Sequence, residues 1–199
     1  MTMRVEADGP GELGREVAEQ LASLSLDDVV IVALSPQSVS FAYALSRRLG
    51  CELDLLLVGH IGAPGHPDQA IGSLLDLQVP EIVVDEKLAR EFHVPPGYLQ
   101  TACRRQLLEL ARQHRMYFGE DDIPSHQHGG KDVVLVHGPV DEALLALVSE
   151  RLVQEGALSV HDLLAPGEAQ ASEELGMSLD EKAVAKMLRD ARRLHAQLH

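Results

Sequence analysis

Apolar and polar positions alternate along this chain in segments that change period several times. Residues 11–24 carry Leu13, Val17, Leu21 and Leu24 at helical spacing, which predicts a first helix with one apolar face. Val29-Val30-Ile31-Val32-Ala33-Leu34 is a short, continuous, mostly β-branched run, the pattern of a strand covered on both faces. An apolar-periodic helix over residues 38–49 follows and stops at Gly50. Leu53-Asp54-Leu55-Leu56-Leu57-Val58 predicts a second strand, so strand, helix and strand form one βαβ unit with parallel strands.

The Gly- and Pro-rich segment Gly59 to Gly72 has no period and is expected to be an ordered loop. Residues 71–77 and 81–84 can pair as short antiparallel strands. A long helix over about residues 97–117 presents Leu99, Cys103, Leu107, Leu110 and Tyr117 on one face. Glu120 to Lys131 is polar and is expected to be an exposed loop. Val133-Val134-Leu135-Val136 predicts a third buried parallel strand, and residues 141–154 the helix after it. Beyond residue 165 the composition turns to Ala, Glu, Gly and Ser. Ser178-Leu179-Asp180-Glu181 then reads as a capping box. Val184, Met187, Leu188, Ala191, Leu194 and Leu198 form the apolar stripe of a last helix. These elements predict an α/β domain over residues 1–165. Residues 166–199 are a C-terminal segment whose amphipathic helix packs on that domain or on a second subunit.

Composition narrows the partners. Aromatic residues are 3% and Trp is absent, so the core must be built from aliphatic side chains. Thirty-one acidic against 17 basic side chains give a formal charge of −14. Such a surface repels nucleic acid and anionic membranes, which are bound by neutralising phosphates. Cys51 and Cys103 have neither framework nor metal-ligand spacing and read as reduced thiols in a cytoplasmic protein. Residues 1–13 lack the basic-then-apolar order of a secretory signal, and polar residues at 35–40 interrupt the uncharged stretch 29–46. No membrane partner is expected.

In a parallel sheet, ligands bind at the carboxyl ends of the strands, where helix N-termini offer free amides. Three segments qualify: Ser35-Pro36-Gln37-Ser38, the Gly59 to Gly72 segment, and His137-Gly138-Pro139-Val140-Asp141-Glu142. At these residues the chain resembles the type I phosphoribosyltransferases, and among them a bacterial branch found alone or fused to hydrolases. The strongest match runs from Leu53 to Gly72, where the family reads LDVLVVRKIGAPGNPELAIGA and this chain keeps Gly62-Ala63-Pro64-Gly65. Arg115-Met116-Tyr117-Phe118-Gly119 is similar to the family's basic helix ending in YRG. Asp180-Glu181-Lys182-Ala183-Val184 is similar to its closing DEEV segment.

The resemblance implies a five-stranded parallel sheet and a phosphoribosyltransferase-like, Rossmann-like fold with a small antiparallel element and a C-terminal helix. It further implies a homodimer, Mg²⁺, and transfer of phosphoribosyl from phosphoribosyl pyrophosphate (PRPP) to a nitrogenous base. This sequence departs from the family at both loops that carry the chemistry. The family's PRPP loop reads VDDGxATGxT, its acidic pair holding the ribose hydroxyls and its amides and Thr hydroxyls the 5′-phosphate. Here His137 and Gly138 occupy the places of the acidic pair, Pro139 removes an amide donor, and Asp141 and Glu142 stand where the phosphate would sit. Asp141 is expected to cap the following helix instead.

The pyrophosphate loop, LPRGG in the family, is Leu34-Ser35-Pro36-Gln37-Ser38, without Arg or Gly, and the family's Arg-Lys after the second strand is Gly59-His60. These departures predict a protein that keeps the fold for binding, regulation or assembly, with no catalytic residue and no cofactor. The alternative is an active phosphoribosyltransferase with divergent loops, using Mg²⁺ and PRPP. Ten histidines raise a metal reading. The spacings among His60, His66, His126, His128 and His137 match no ligand pattern, and His195 and His199, although i,i+4 on a helix, are terminal. No metal site is expected.

Overall fold

The computed structural model describes Val17, Glu19, Leu21 and residues 28–77, 80–119, 128–140, 142–165 and 180–198, with side chains as far as residue 193. The chain forms two compact units. One comprises Leu56–Asp122, and the other the segments on either side of it.

The larger unit is built on a parallel sheet of β1 (Val29–Ala33), β2 (Glu52–Leu55), β6 (Asp132–His137) and β7 (Ser159–Leu164), in the order β2-β1-β6-β7. In register, Ile31 pairs with Leu53 on one side and Val134 on the other, and Leu135 pairs with Asp162. β1 and β6 are central, which explains their unbroken aliphatic runs: Ile31, Val32, Val133 and Val134 have no exposed surface. α1 (Val39–Leu49) links β1 to β2 and ends at Gly50, whose φ of 70° closes the helix in the left-handed region that glycine tolerates. α4 (Glu142–Gln154) links β6 to β7. Because β1 leads outward to β2 and β6 outward to β7, the crossovers diverge between β1 and β6. The carboxyl ends of those two strands are therefore the switch point at which such sheets bind ligands.

The resemblance implies five parallel strands, whereas the described residues form four, with β7 unanticipated. Nothing in Ser159-Val160-His161-Asp162-Leu163-Leu164 alternates cleanly, because this edge strand has its residues half-buried along most of its length.

α5 (Glu181–Leu198) packs against α1 and β2. Its stripe behaves as predicted as far as it is described, with Val184, Met187, Leu188 and Ala191 all buried. Of the expected capping box, Asp180 and Glu181 are described. Asp180 is the cap, its Oδ1 accepting from the Ala183 amide at 2.7 Å, which is the first-turn amide that an N-cap side chain reaches. Ser178 and Leu179 lie outside the described residues, as do Leu13 and Leu24 of the first predicted helix. Val17 and Leu21 of that helix are helical and buried.

The smaller unit holds an antiparallel sheet in the order β3-β4-β5, made of β3 (Val58–Ala63), β4 (His66–Leu75) and β5 (Glu81–Val84). Two expectations change here. The run Leu53–Val58 is not one strand: β2 ends at Leu55 and Val58 begins a different sheet, and the connecting Leu56 and Leu57 are buried. The segment Gly59 to Gly72 is not a loop but a bulged hairpin turning at Pro64-Gly65, with Gly65 at φ 73°. Its glycines hid the strand signal. They serve close backbone approach: a Cβ on Gly62 would lie 2.5 Å from the Pro67 carbonyl oxygen, and one on Gly72 2.6 Å from that of Val83. Of the expected antiparallel pairing of residues 71–77 with 81–84, Gly72–Leu75 pair with Glu81–Val84.

α2 (Glu86–Glu91) and α3 (Tyr98–Phe118) complete this unit. Ile61, Ala63, Ile71, Ala102 and Cys103 form its core with Phe92 and Leu99 packed against them. Of the predicted α3 stripe, Cys103, Leu110 and Tyr117 are buried, but Leu107 is 40% exposed. The described residues contain no helix long and apolar enough to cross a membrane.

Candidate functional site

A cleft of about 810 Å³ opens at the carboxyl ends of β6 and β7, beside the first turns of α4. It gathers five of the six residues expected to form the PRPP-like loop: His137, Gly138, Pro139, Val140 and Glu142. Asp141 lies outside the described residues, so its expected capping role is not observable. Leu145 and Leu164 supply apolar wall, and Ser149 a hydroxyl.

His137 closes β6 and is 6% exposed. Its Nδ1 lies 2.7 Å from the carbonyl oxygen of Gly138, which can only accept, so in the neutral ring the proton resides on Nδ1. Nε2 is then a lone-pair acceptor, and it is buried without a hydrogen-bond partner. The His137 main-chain carbonyl accepts from the Ala165 amide at 2.7 Å, and the Val136 carbonyl from the Leu34 amide at 2.9 Å, so the strand end is firmly placed. Glu142 is the exposed first residue of α4.

Asp162, half-buried on β7, is the residue that sequence reasoning missed. It becomes part of the site because β7 lies parallel to β6, pairing Asp162 with Leu135 and Leu164 with His137. No local sequence signal marks it. Among the described lining residues there is no Lys or Arg, while Glu142 and Asp162 bring carboxylates.

The Ser35-Pro36-Gln37-Ser38 segment follows β1 at the same edge of the sheet but is not among the described residues lining the cleft. It is a single 3₁₀ turn whose polar groups bond one another. The Ser38 amide donates to Ser35 O at 3.0 Å and reaches Ser35 Oγ at 3.3 Å, and the two hydroxyls lie 2.9 Å apart. Ser38 is buried and Gln37 exposed. Gly62, Ala63, Pro64 and Gly65 belong to the smaller unit as the end of β3 and the tip of its hairpin. The Gly62 carbonyl accepts from Tyr98 Oη at 2.8 Å, and Gln106 Nε2 donates to the His60 carbonyl at 2.6 Å, so α3 clamps β3 through two side chains.

The histidines are dispersed. The His66 ring packs on Phe92 with centroids 5.6 Å apart. His128, predicted in an exposed loop, is instead buried, with Nε2 3.3 Å from Asp54 Oδ2. It moves inward because it supplies a partner to a carboxylate that β2 buries. His161 Nε2 lies 3.0 Å from Ser159 Oγ, and that hydroxyl also bonds Asp132. This Asp–Ser–His chain joins the starts of β6 and β7, at the opposite end of the strands from the cleft. Among the described residues no group of three or more His, Cys, Asp or Glu side chains gathers as a metal site would. Cys51 and Cys103 are both free thiols, and burial pushes the Cys51 thiol up to about 12.

A parallel sheet with diverging crossovers and a strand-end cleft defines a doubly wound, Rossmann-like α/β class. Comparison with known proteins narrows it. No protein-family model matches the chain. Over 118 residues it is 33% identical to proteins described as "Putative phosphoribosyl transferase" in two strains of Mycobacterium tuberculosis, a match covering 59% of this chain. That match spans 26% of the length of those relatives. The crystal structure of TT1426 from Thermus thermophilus superposes with a TM-score of 0.58 at 26% identity, covering 89% of this chain and 94% of that one. The chain is thus similar in sequence to proteins named as phosphoribosyl transferases and similar in fold to TT1426.

Proposed function

We propose that this chain is a phosphoribosyltransferase-like protein that no longer takes PRPP and serves in binding, regulation or assembly. The observation that carries the reading is the composition of the strand-end cleft: carboxylates from Glu142 and Asp162, and no Lys or Arg among its described lining residues. PRPP and its Mg²⁺ do not fit these residues. His137 and Gly138 replace the acidic pair that holds the ribose hydroxyls, and His137 Nε2 is a buried acceptor rather than a donor to an anion. A phosphate drawn to within ~5 Å of one carboxylate meets roughly 3 kcal/mol of repulsion at an effective dielectric near 20. The free amides at the start of a helix such as α4 offset only part of that.

The competing reading is an active phosphoribosyltransferase with divergent loops. The name borne by the Mycobacterium tuberculosis relatives favours it. Thermal unfolding with PRPP and Mg²⁺ separates the two. Ligand at 100 times its dissociation constant adds roughly 2.7 kcal/mol, an upward midpoint shift of about 5–10 °C for a chain of this size. The expected result is no shift, beside a clear shift in a relative with an intact PRPP loop. A saturable shift in this chain overturns the reading. A homodimer and a reducing, cytoplasmic setting belong to the same proposal. The free Cys51 and Cys103 support the setting, and a monomeric mass by light scattering sinks the dimer.

A further inference from the structure

α3 buries Cys103 and Leu110 against its own sheet. Its outward face carries Leu107 and Leu108, 40% and 69% exposed. Helical spacing sets Arg104 and Arg105 one turn before Leu108, Ala111 and Arg112 one turn after it, and Arg115 two turns after. All five of these neighbours are exposed. The face is thus an apolar centre ringed by guanidinium groups.

One exposed leucine is ordinary, and so is one solvated arginine. The charge sets this face apart. α3 holds four arginines against one glutamate, in a chain with 31 acidic and 17 basic side chains. Glu109 engages Arg112 at 2.8 Å. Arg104, Arg105 and Arg115 have no side-chain ion-pair partner among the described residues, although acids are nearly twice as abundant as bases in the chain. Positive potential therefore gathers around Leu108 on a molecule that is negative as a whole.

Three kinds of occupant fit this face badly. Nucleic acid is repelled by the formal charge of −14 and has no use for leucines at the centre of its contact. An anionic bilayer meets the same repulsion, and two leucines give little apolar area to insert. A second copy related by a two-fold axis through the face would set the arginines of one α3 against those of the other. An acidic polypeptide answers both the charge and the leucines. We propose that the outward face of α3 docks an acidic polypeptide, its carboxylates meeting Arg104, Arg105 and Arg115 and its apolar side chains covering Leu107 and Leu108. Apolar anchors inside a polar rim, with arginine enriched, are how protein interfaces concentrate their binding energy. The inference concerns the smaller unit and stands whether or not the strand-end cleft takes PRPP.

The test is fluorescence anisotropy of a labelled amphipathic peptide made only of Glu and Leu, titrated with the whole chain. Two counterparts carry Lys for every Glu, or Ser for every Leu. The Glu-Leu peptide is expected to saturate with a Kd of about 100 μM or below, weakening as salt rises, whereas the Lys peptide leaves no signal. Ser for Leu is expected to cost about tenfold. Arg104→Glu/Arg105→Glu is expected to reverse the preference towards the Lys peptide, which loss of helix structure alone would not do. Leu108→Ser is expected to weaken the Glu-Leu peptide at least threefold, and Leu158→Ser, an exposed leucine of the larger unit, to leave it unchanged. No binding of the Glu-Leu peptide up to 1 mM, equal binding of the Lys peptide, or affinity indifferent to the α3 substitutions overturns the inference. Sedimentation velocity and phosphatidylglycerol vesicles cover the rival occupants. A dimer that Leu108→Ser dissociates, or vesicle binding that the arginine substitutions abolish, gives the face to a second copy or to a membrane and overturns it as well.

Discussion

Replacing Gly62 by alanine tests whether the Gly-Ala-Pro-Gly block owes its composition to backbone packing. The added Cβ would sit 2.5 Å from Pro67 O and 2.8 Å from Pro67 Cα, where ordinary contact begins near 3.4 Å. The strands must therefore part by about 0.9 Å at a bulge, and the obstacle is main chain that cannot rotate away. Overpacking of this kind costs about 1–3 kcal/mol, and weakening the 2.8 Å bond from Tyr98 Oη to the Gly62 carbonyl adds about 1 kcal/mol. The expected loss is thus about 2–4 kcal/mol. Two controls grade the effect. Gly65→Ala meets nothing within 4 Å but must hold φ near 73°, at a cost of about 1–2 kcal/mol. Gly138→Ala meets nothing and has no positive φ, so it should stay within about 0.5 kcal/mol of the parent. Urea unfolding gives the three values where m is unchanged. Hydrogen exchange at the Ile61 and Ile71 amides assigns the loss to the Leu56–Asp122 unit if the two units unfold separately. A Gly62→Ala variant no less stable than Gly138→Ala would refute the reasoning.

Other substitutions and conditions probe the larger unit. Asp180→Ala removes the 2.7 Å cap on the Ala183 amide and should cost about 0.5–2 kcal/mol, while Asp180→Asn should recover most of it in the same urea experiment. His128→Ala strips a partner from the buried Asp54 carboxylate and should cost several kcal/mol, more than His128→Gln; equal losses by thermal unfolding would deny the hydrogen-bonding role. Burial raises the Cys51 thiol to about 12, so the folded state keeps its proton where an unfolded thiol has lost it. The stability linked to that thiol is whole below the unfolded pKa of about 8.5 and declines as pH climbs from there through about 12. Alkylation of Cys51 at pH 8 should accordingly lag far behind that of a free thiol and still be accelerating above pH 10; a plateau near pH 9 would contradict the burial argument.

Much of the fold is written locally. The unbroken runs at Val29–Ala33 and Val133–Val136 reveal central parallel strands, because a strand covered on both faces has no use for polar alternation. Gly50 marks a helix end, because a left-handed residue is needed there. The apolar stripe of α5 is likewise visible, since its period survives any docking partner. What α5 covers, namely α1 and β2, is decided only by packing.

The hairpin at β3 and β4 was hidden for the opposite reason. Its glycines look like loop residues until the approach of Pro67 and Val83 shows why no side chain fits. The site divides the same way. His137, Gly138 and Glu142 could be placed from sequence because they follow a strand whose end is legible. Asp162 could not, since it reaches the cleft only when β7 pairs with β6, and pairing is a long-range event with no local mark. The loop residues His137, Gly138 and Glu142 are therefore legible in the sequence, while the cleft they line together with Asp162 is a property of the assembled sheet.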